Sequence, residues 1–306
     1  MQKLMKIKKG DTLGLICPSS CIRDDQDVDK FIKLLEDNGY KVKEGKALRS
    51  KEGYLAGNDI DRARDIMDMF TNNDVKGILC YKGGYGAQRL LPYLDFNIIK
   101  KHPKLLMGFS DITVLLNNIN KFCNFPTVHG EMGVCLDKYD KFTIKDFFNV
   151  LNHGFMPHLK NPLDDLVVIN EGISVGRLVG GNLSLIYALM GTKYEIDFKD
   201  NILFIEDVDE EAYSIDRMLS SLSLSGKLKE VKGIVCGYFT NCKTKEDEQQ
   251  IDDLLIHYLK PYNVPLILHF ASGHDKPFVN LPIGLKVCLD TYQKSVIVLD
   301  SLYQDN

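Results

Sequence analysis

Along the first half of the chain, short aliphatic runs alternate with longer stretches in which apolar side chains recur every three or four positions. The runs at 12–17 (TLGLIC), 41–43, 76–81 and 104–108 predict strands, and a further strand is expected around Pro126, Thr127 and Val128. Between them the spacing predicts helices near 25–38, 58–73, 86–92 and 111–120, the first ending at Asn38-Gly39. Alternation of this kind builds a doubly wound, mostly parallel sheet with helices on its faces, and such sheets bind ligands beyond the carboxyl ends of their strands. A helix predicted at 141–152 gives way to HGFMPHLKNPLDD, which has no periodicity and reads as a linker.

Pattern resumes near Glu171 with the glycine-rich GRLVGGNLSLI, then strands at 201–205, 233–238 and 265–269 and helices from about 213 to 222 and near 246–260. The runs 286–290 and 295–299 flank TYQK with the spacing of an antiparallel hairpin. The organisation expected is an α/β domain over 1–155, a linker over 156–170, and a second α/β domain over 171–306.

Composition narrows the classes. The 306 residues are 44% hydrophobic and 26% charged, enough for a sizeable core, and 38 basic against 42 acidic residues leave no basic stripe for a nucleic-acid backbone. No window approaches the roughly 18 apolar residues of a membrane span. The start, MQKLMKIKKGDTLGLICPSS, lacks the apolar length and small-residue cleavage site of a signal peptide. Eight cysteines are scattered without a CxxC pair, several inside apolar runs, which fits reduced thiols in a cytoplasmic protein.

Three junctions run from an apolar strand into polar residues. In LLMGFSDIT the strand ends at Gly108, Ser110 sits at the turn and a helix follows, exposing a hydroxyl where helix N–H groups point. Ile112 breaks the G-x-S-x-G elbow, and a serine here also reads as an N-cap. In NILFIEDVDEE a carboxylate, Glu206, directly follows a buried strand, placed to orient an imidazole or simply to favour a helix N-terminus. In LILHFASGHD a strand opens into a Gly-His loop; His274 suits a general base, while His269, still within the apolar run, reads as a satisfied core histidine. His129 is the main competitor, and His102, His153, His158 and His257 read as surface or linker residues. Tyr81-Lys82-Gly83-Gly84-Tyr85-Gly86 follows another strand, and its adjacent glycines could cradle a phosphate or supply oxyanion N–H groups. It is neither a dinucleotide fingerprint nor a Walker motif, and no zinc spacing occurs, so no cofactor or metal is expected.

Serine, carboxylate and histidine, each just beyond a strand, form the set that acyl transfer needs. The ordered motifs YKGGYG with LLPYLD, GFSD, VHG, GGNL, LFIED with IDRML, GH and LPIG resemble the LD-carboxypeptidase family of serine peptidases, which also contains the microcin C self-immunity proteins. The resemblance implies an N-terminal parallel-sheet domain, a smaller β-rich C-terminal domain and an active site in the cleft between them. It also implies Ser110 as nucleophile, His274 as base and Glu206 as orienting carboxylate, with an oxyanion hole from the N–H groups of Asp111 and Gly84. Gly83, Tyr85 and Asn182 would contact substrate, and a homodimer is expected. Lys82 stands where arginine is expected and Glu131 where proline is frequent.

The reaction implied is removal of the terminal D-alanine from murein tetrapeptide during cell-wall recycling. The alternatives are cleavage of a peptidyl-nucleotide conjugate, for which only Tyr or Phe could supply an aromatic shelf because tryptophan is absent, and a non-catalytic module that binds a small anion at the Gly83-Gly84 turn.

Overall fold

The computed structural model describes residues 1–138, 140–244 and 249–304. It divides into two compact units. The first takes Met1–Gly154, Asn280–Pro282 and the C-terminal residues from Ser301; the second takes Phe155–Val279 and Ile283–Asp300.

In the first unit β1 (Thr12–Ile16), α1 (Asp25–Asp37), β2 (Lys41–Glu44), α2 (Asp59–Thr71), β3 (Val75–Cys80), α3 (Phe96–Lys101), β4 (Leu105–Gly108), α4 (Thr113–Cys123), β5 (Thr127–His129) and α5 (Lys141–His153) alternate, all but the six-residue α3 expected from the periodicity. β2, β1, β3, β4 and β5 lie side by side in parallel register. The three central strands are buried almost throughout, which is why they read as continuous apolar runs rather than alternating ones. β2, with lysines and a glutamate facing water, closes one edge. Asp24 caps α1 by accepting from the Gln26 amide at 2.9 Å, and Val28, Phe31 and Leu35 form its buried stripe. Asn58 caps α2 in the same way.

The second unit contains β6 (His158–Lys160), β7 (Val167–Asn170), β8 (Ile173–Asn182), α6 (Leu183–Ala188), β9 (Ile202–Val208), α7 (Ala212–Leu224), β10 (Gly233–Thr240), α8 (Ile251–Leu259) and β11 (Leu266–Leu268). β12 (Leu281–Ile283) then joins the six-stranded sheet beside β5, and β13 (Lys286–Asp290) and β14 (Ser295–Val298) complete an eight-stranded sheet ordered β6-β14-β13-β8-β9-β10-β11-β7. Its centre, β8 to β11, is parallel and its margins are antiparallel. The β13–β14 pairing is the hairpin expected around TYQK. Leu203, Ile205, Ile215, Leu219, Ile234 and Leu255 form the core under α7 and α8.

Several elements differ from the sequence expectation. The helix expected at 86–92 is a 3-10 helix, Ala87–Tyr93, carrying Pro92 inside it, and the one expected at 111–120 begins only at Thr113, after a 3-10 turn over Ser110–Ile112. Residues 156–170 hold β6 and β7, two edge strands too short for a period-2 pattern to register. β8 runs through GRLVGGN: Gly180 has φ +116°, and a Cβ there would lie 2.0 Å from the Phe204 carbonyl, so glycine lets β8 and β9 meet. Of the helix expected at 246–260, positions 246–248 lie outside the described residues. Among the described residues no helix is long and apolar enough to cross a membrane.

Candidate functional site

In the first unit the chain leaves β4 through Phe109, and Ser110 adopts φ +62°. That is left-handed backbone, costly for a residue with a Cβ, and it belongs to a tight strand-to-helix turn. The turn after β3 lies against it. A Cβ on Gly83 would come 3.1 Å from Ser110 Cβ, 3.3 Å from Ser110 Oγ and 3.4 Å from the Asp111 amide nitrogen, so any larger residue would crowd the hydroxyl. Gly84, at φ +104°, has Ser20 Oγ 2.4 Å from where its Cβ would stand; that hydroxyl accepts from the Tyr85 amide at 3.1 Å. Both glycines are therefore fixed by close approach. Tyr85 itself is exposed and packs on the ring of Tyr54 at 5.8 Å.

Behind the turn are two charged side chains: the sequence pointed to Asp111 only for its backbone N–H, and to Arg62 not at all. Asp111 is buried, and its Oδ2 accepts from Ser19 Oγ at 2.6 Å and the Ala87 amide at 2.7 Å. Burial pushes this carboxyl up, against the opposing effect of those bonds and of the Arg62 charge. Arg62 is buried on α2 and donates to the carbonyls of Gly57 at 3.2 Å, Gly86 at 3.1 Å and Pro18, as well as to the Asp59 carboxylate. Its signal in the sequence was a charge on the same helical stripe as Ile66 and Met69. The segments that follow β1, β3 and β4 are thus tied together by one guanidinium and one carboxylate.

In the second unit strand alternation separates two consecutive carboxylates. Glu206 is fully buried on β9 and its Oε2 lies 2.8 Å from His274 Nδ1. The His274 side chain keeps 18% of its surface exposed. Gly273, at φ +135°, brings the histidine loop against β9: a Cβ there would stand 3.1 Å from Glu206 Oε2. The loop is railed to β10 by Phe270 N–H donating to the Cys236 carbonyl and Tyr238 N–H donating to the Ser272 carbonyl, both at 3.0 Å.

Asp207 faces the other way and accepts from Asn182 Nδ2 and the Ser184 and Val208 amides at 2.9 Å, and from Ser184 Oγ at 2.8 Å. Burial, then the neighbouring Glu206 charge, pushes its carboxyl up to about 6. Asn182 Oδ1 caps α6 by accepting from the Leu185 amide at 3.2 Å. Its carboxamide is engaged at both ends, so a substrate contact through it would replace one of these bonds.

The other histidines separate cleanly. His129 is buried at the end of β5, edge-on to Phe109. His269 is not a core residue: the strand stops at Leu268, His269 takes φ +62°, its side chain is 37% exposed and Nε2 meets Asp252 at 2.8 Å. Three residues of alternation are too few to show where a strand ends. Among the described residues no three metal-ligating side chains gather.

Residues 13–130 match the LD-carboxypeptidase N-terminal domain and residues 175–289 the LD-carboxypeptidase C-terminal domain. The chain is 39% identical over 300 residues to a probable murein peptide carboxypeptidase of Bacillus subtilis, covering 95% of this chain and 92% of that one. The muramoyltetrapeptide carboxypeptidase of Oxalobacter formigenes superposes with a TM-score of 0.80 at 29% identity, over 93% of this chain and 97% of that one. The microcin C7 self-immunity protein MccF shares the fold, with a TM-score of 0.91 at 22% identity over 99% of this chain and the whole of that one. Both halves of the chain, and the strand ends that carry its serine, glutamate and histidine, are accounted for by one conclusion: the chain belongs to the LD-carboxypeptidase family.

Proposed function

We propose that this protein is a serine carboxypeptidase that hydrolyses the L,D-peptide bond of murein tetrapeptide and releases its terminal D-alanine. The observation that carries the reading is the Glu206–His274 pair, a buried carboxylate 2.8 Å from an imidazole nitrogen. A carboxylate on Nδ1 fixes the tautomer in which Nε2 is the basic nitrogen and offsets the positive charge the ring acquires. For the reaction, Nε2 must come within about 2.6–3.2 Å of Ser110 Oγ. His274 takes the hydroxyl proton as Oγ attacks the carbonyl carbon, and gives it to the departing D-alanine nitrogen. An acyl-enzyme on Ser110 remains, and water activated by the same imidazole releases it. Developing negative charge on the carbonyl oxygen is received by the amides of Asp111 and Gly84, next to the turn that Gly83 packs on the serine.

The substrate assignment rests on the relatives' names and the extent of alignment. The peptidyl-nucleotide alternative draws on a likeness at 22% identity, which speaks for fold rather than substrate. Catalysis in the cytoplasm, by a homodimer, is part of the same reading and follows from the family resemblance and the scattered cysteines. The test is mass spectrometry of murein tetrapeptide incubated with the wild type and with Ser110→Ala. Loss of one D-alanine by the wild type alone is expected; an active Ser110→Ala protein would overturn the triad.

A further inference from the structure

The mechanism leaves one cation beside the nucleophile turn without a task. Lys82 directly precedes Gly83, the glycine packed on Ser110, and is half-buried. Its Nζ donates to the Cys21 carbonyl at 2.7 Å, and it forms no ion pair among the described residues. Lys82 lines a cavity of about 280 Å³ within the first unit, shared with Arg23, Asp24, Asp27 and Tyr81. Arg23 is exposed and has no carboxylate partner among the described residues either. The two acidic residues of the wall are already engaged: Asp24 caps α1 by accepting from the Gln26 amide, and Asp27 holds Lys30 at 2.7 Å.

An enzyme that removes only the last residue of a peptide must distinguish a free carboxylate from a continuing amide. Resting on the peptidase reading above, we propose that Lys82, assisted by Arg23, binds the terminal carboxylate of the substrate and thereby restricts cleavage to the last bond. An ammonium has three N–H donors. One anchors Lys82 on a neutral carbonyl, which fixes its position without cancelling its charge, and two remain for an anion. Because Lys82 and Gly83 are consecutive, the turn that flanks Ser110 also sets where the carboxylate is held.

The test compares murein tetrapeptide as free acid with the same peptide bearing a C-terminal amide, using wild type, Lys82→Gln, Lys82→Met and Lys82→Arg. Lys82→Gln keeps a donor for the Cys21 carbonyl while removing the charge, and labelling of Ser110 by a fluorophosphonate reports that each variant is folded and its nucleophile competent. Loss of one charge-assisted bond corresponds to a factor of roughly 10 to 100. The expected result is a KM for the free acid raised by about that factor in Lys82→Gln and Lys82→Met, with kcat nearly kept, the amide unaffected and Lys82→Arg close to wild type. Arg23→Met should shift the same ratio less.

An acid-to-amide preference that survives Lys82→Gln overturns the proposal, as does equal loss on both peptides, which would make Lys82 a pin for the Cys21 carbonyl. A peptidyl-nucleoside phosphoramidate forms the third arm, and a Lys82 effect confined to it would assign the site to phosphate instead. Wild-type enzyme that labels at Ser110 but cuts neither peptide would refute the peptidase reading itself, and this proposal with it.

Discussion

Replacing Glu206 by glutamine removes a charge while keeping the shape of the side chain. In the proposed mechanism His274 carries a positive charge in the transition state, and a carboxylate oxygen lies 2.8 Å from its Nδ1. With the charge centres about 4 Å apart and an effective dielectric near 20, their attraction is about 4 kcal/mol. A neutral amide forfeits most of that term, and at ~1.36 kcal/mol per decade kcat should fall about a thousandfold. The amide can also turn its NH2 toward Nδ1, which favours the tautomer whose Nε2 carries a hydrogen and cannot accept the serine proton. Stability should respond less: Glu206 is fully buried and its Oε1 finds no hydrogen-bond partner among the described residues, so removing the charge relieves a desolvation cost that offsets part of the weakened bond to His274. The assay is single-turnover release of D-alanine beside thermal unfolding by circular dichroism. A folded Glu206→Gln protein within tenfold of wild-type kcat would refute the reasoning.

Two further changes separate structure from chemistry. Asp207, pushed up to about 6 by burial and by Glu206, binds protons in the folded state that the unfolded chain releases nearer pH 4, so its contribution to stability falls as pH rises from 4 through 6; the unfolding free energy of wild type relative to Asp207→Asn should drop by about 3 kcal/mol across that window, and a flat difference in denaturant titrations would reject it. Ser110 holds φ +62°; Ser110→Gly should abolish turnover, as is expected of Ser110→Ala, yet be more stable than the alanine variant by about 1 kcal/mol because glycine adopts that backbone without strain. Equal denaturation midpoints for the two variants would show that the turn is relaxed.

The candidate residues were legible in the sequence because they sit where periodicity weakens. Ser110 and His274 lie beyond the ends of β4 and β11, while Glu206, expected just past a strand ending at 205, sits inside β9, which runs on to Val208; all three are in the carboxyl-terminal region of parallel strands, where such sheets bind ligands. The central strands and the capped helices α1 and α2 were equally readable, since burial on both sheet faces and a single helical stripe leave strong local patterns. The edge strands β6, β7 and β12 were not: each is three or four residues long and takes its place through pairing with a partner far along the chain. β8 escaped because its glycines carry no side chain to register in a hydrophobic pattern.

The sequence by itself determined which residue types stand at the strand ends and in what order, because local propensity and side-chain period are properties of short segments. Only the tertiary structure decided their partners: that Glu206 turns to His274 while Asp207 turns to Asn182 and Ser184, that His269 leaves the core for Asp252, and that Arg62 and Asp111 brace three separate turns from behind. The contacts of Glu206, His269 and Asp111 join residues 68, 17 and 92 positions apart. Interactions of that range depend on how strands are ordered and how closely backbones approach, and no short window of sequence encodes either.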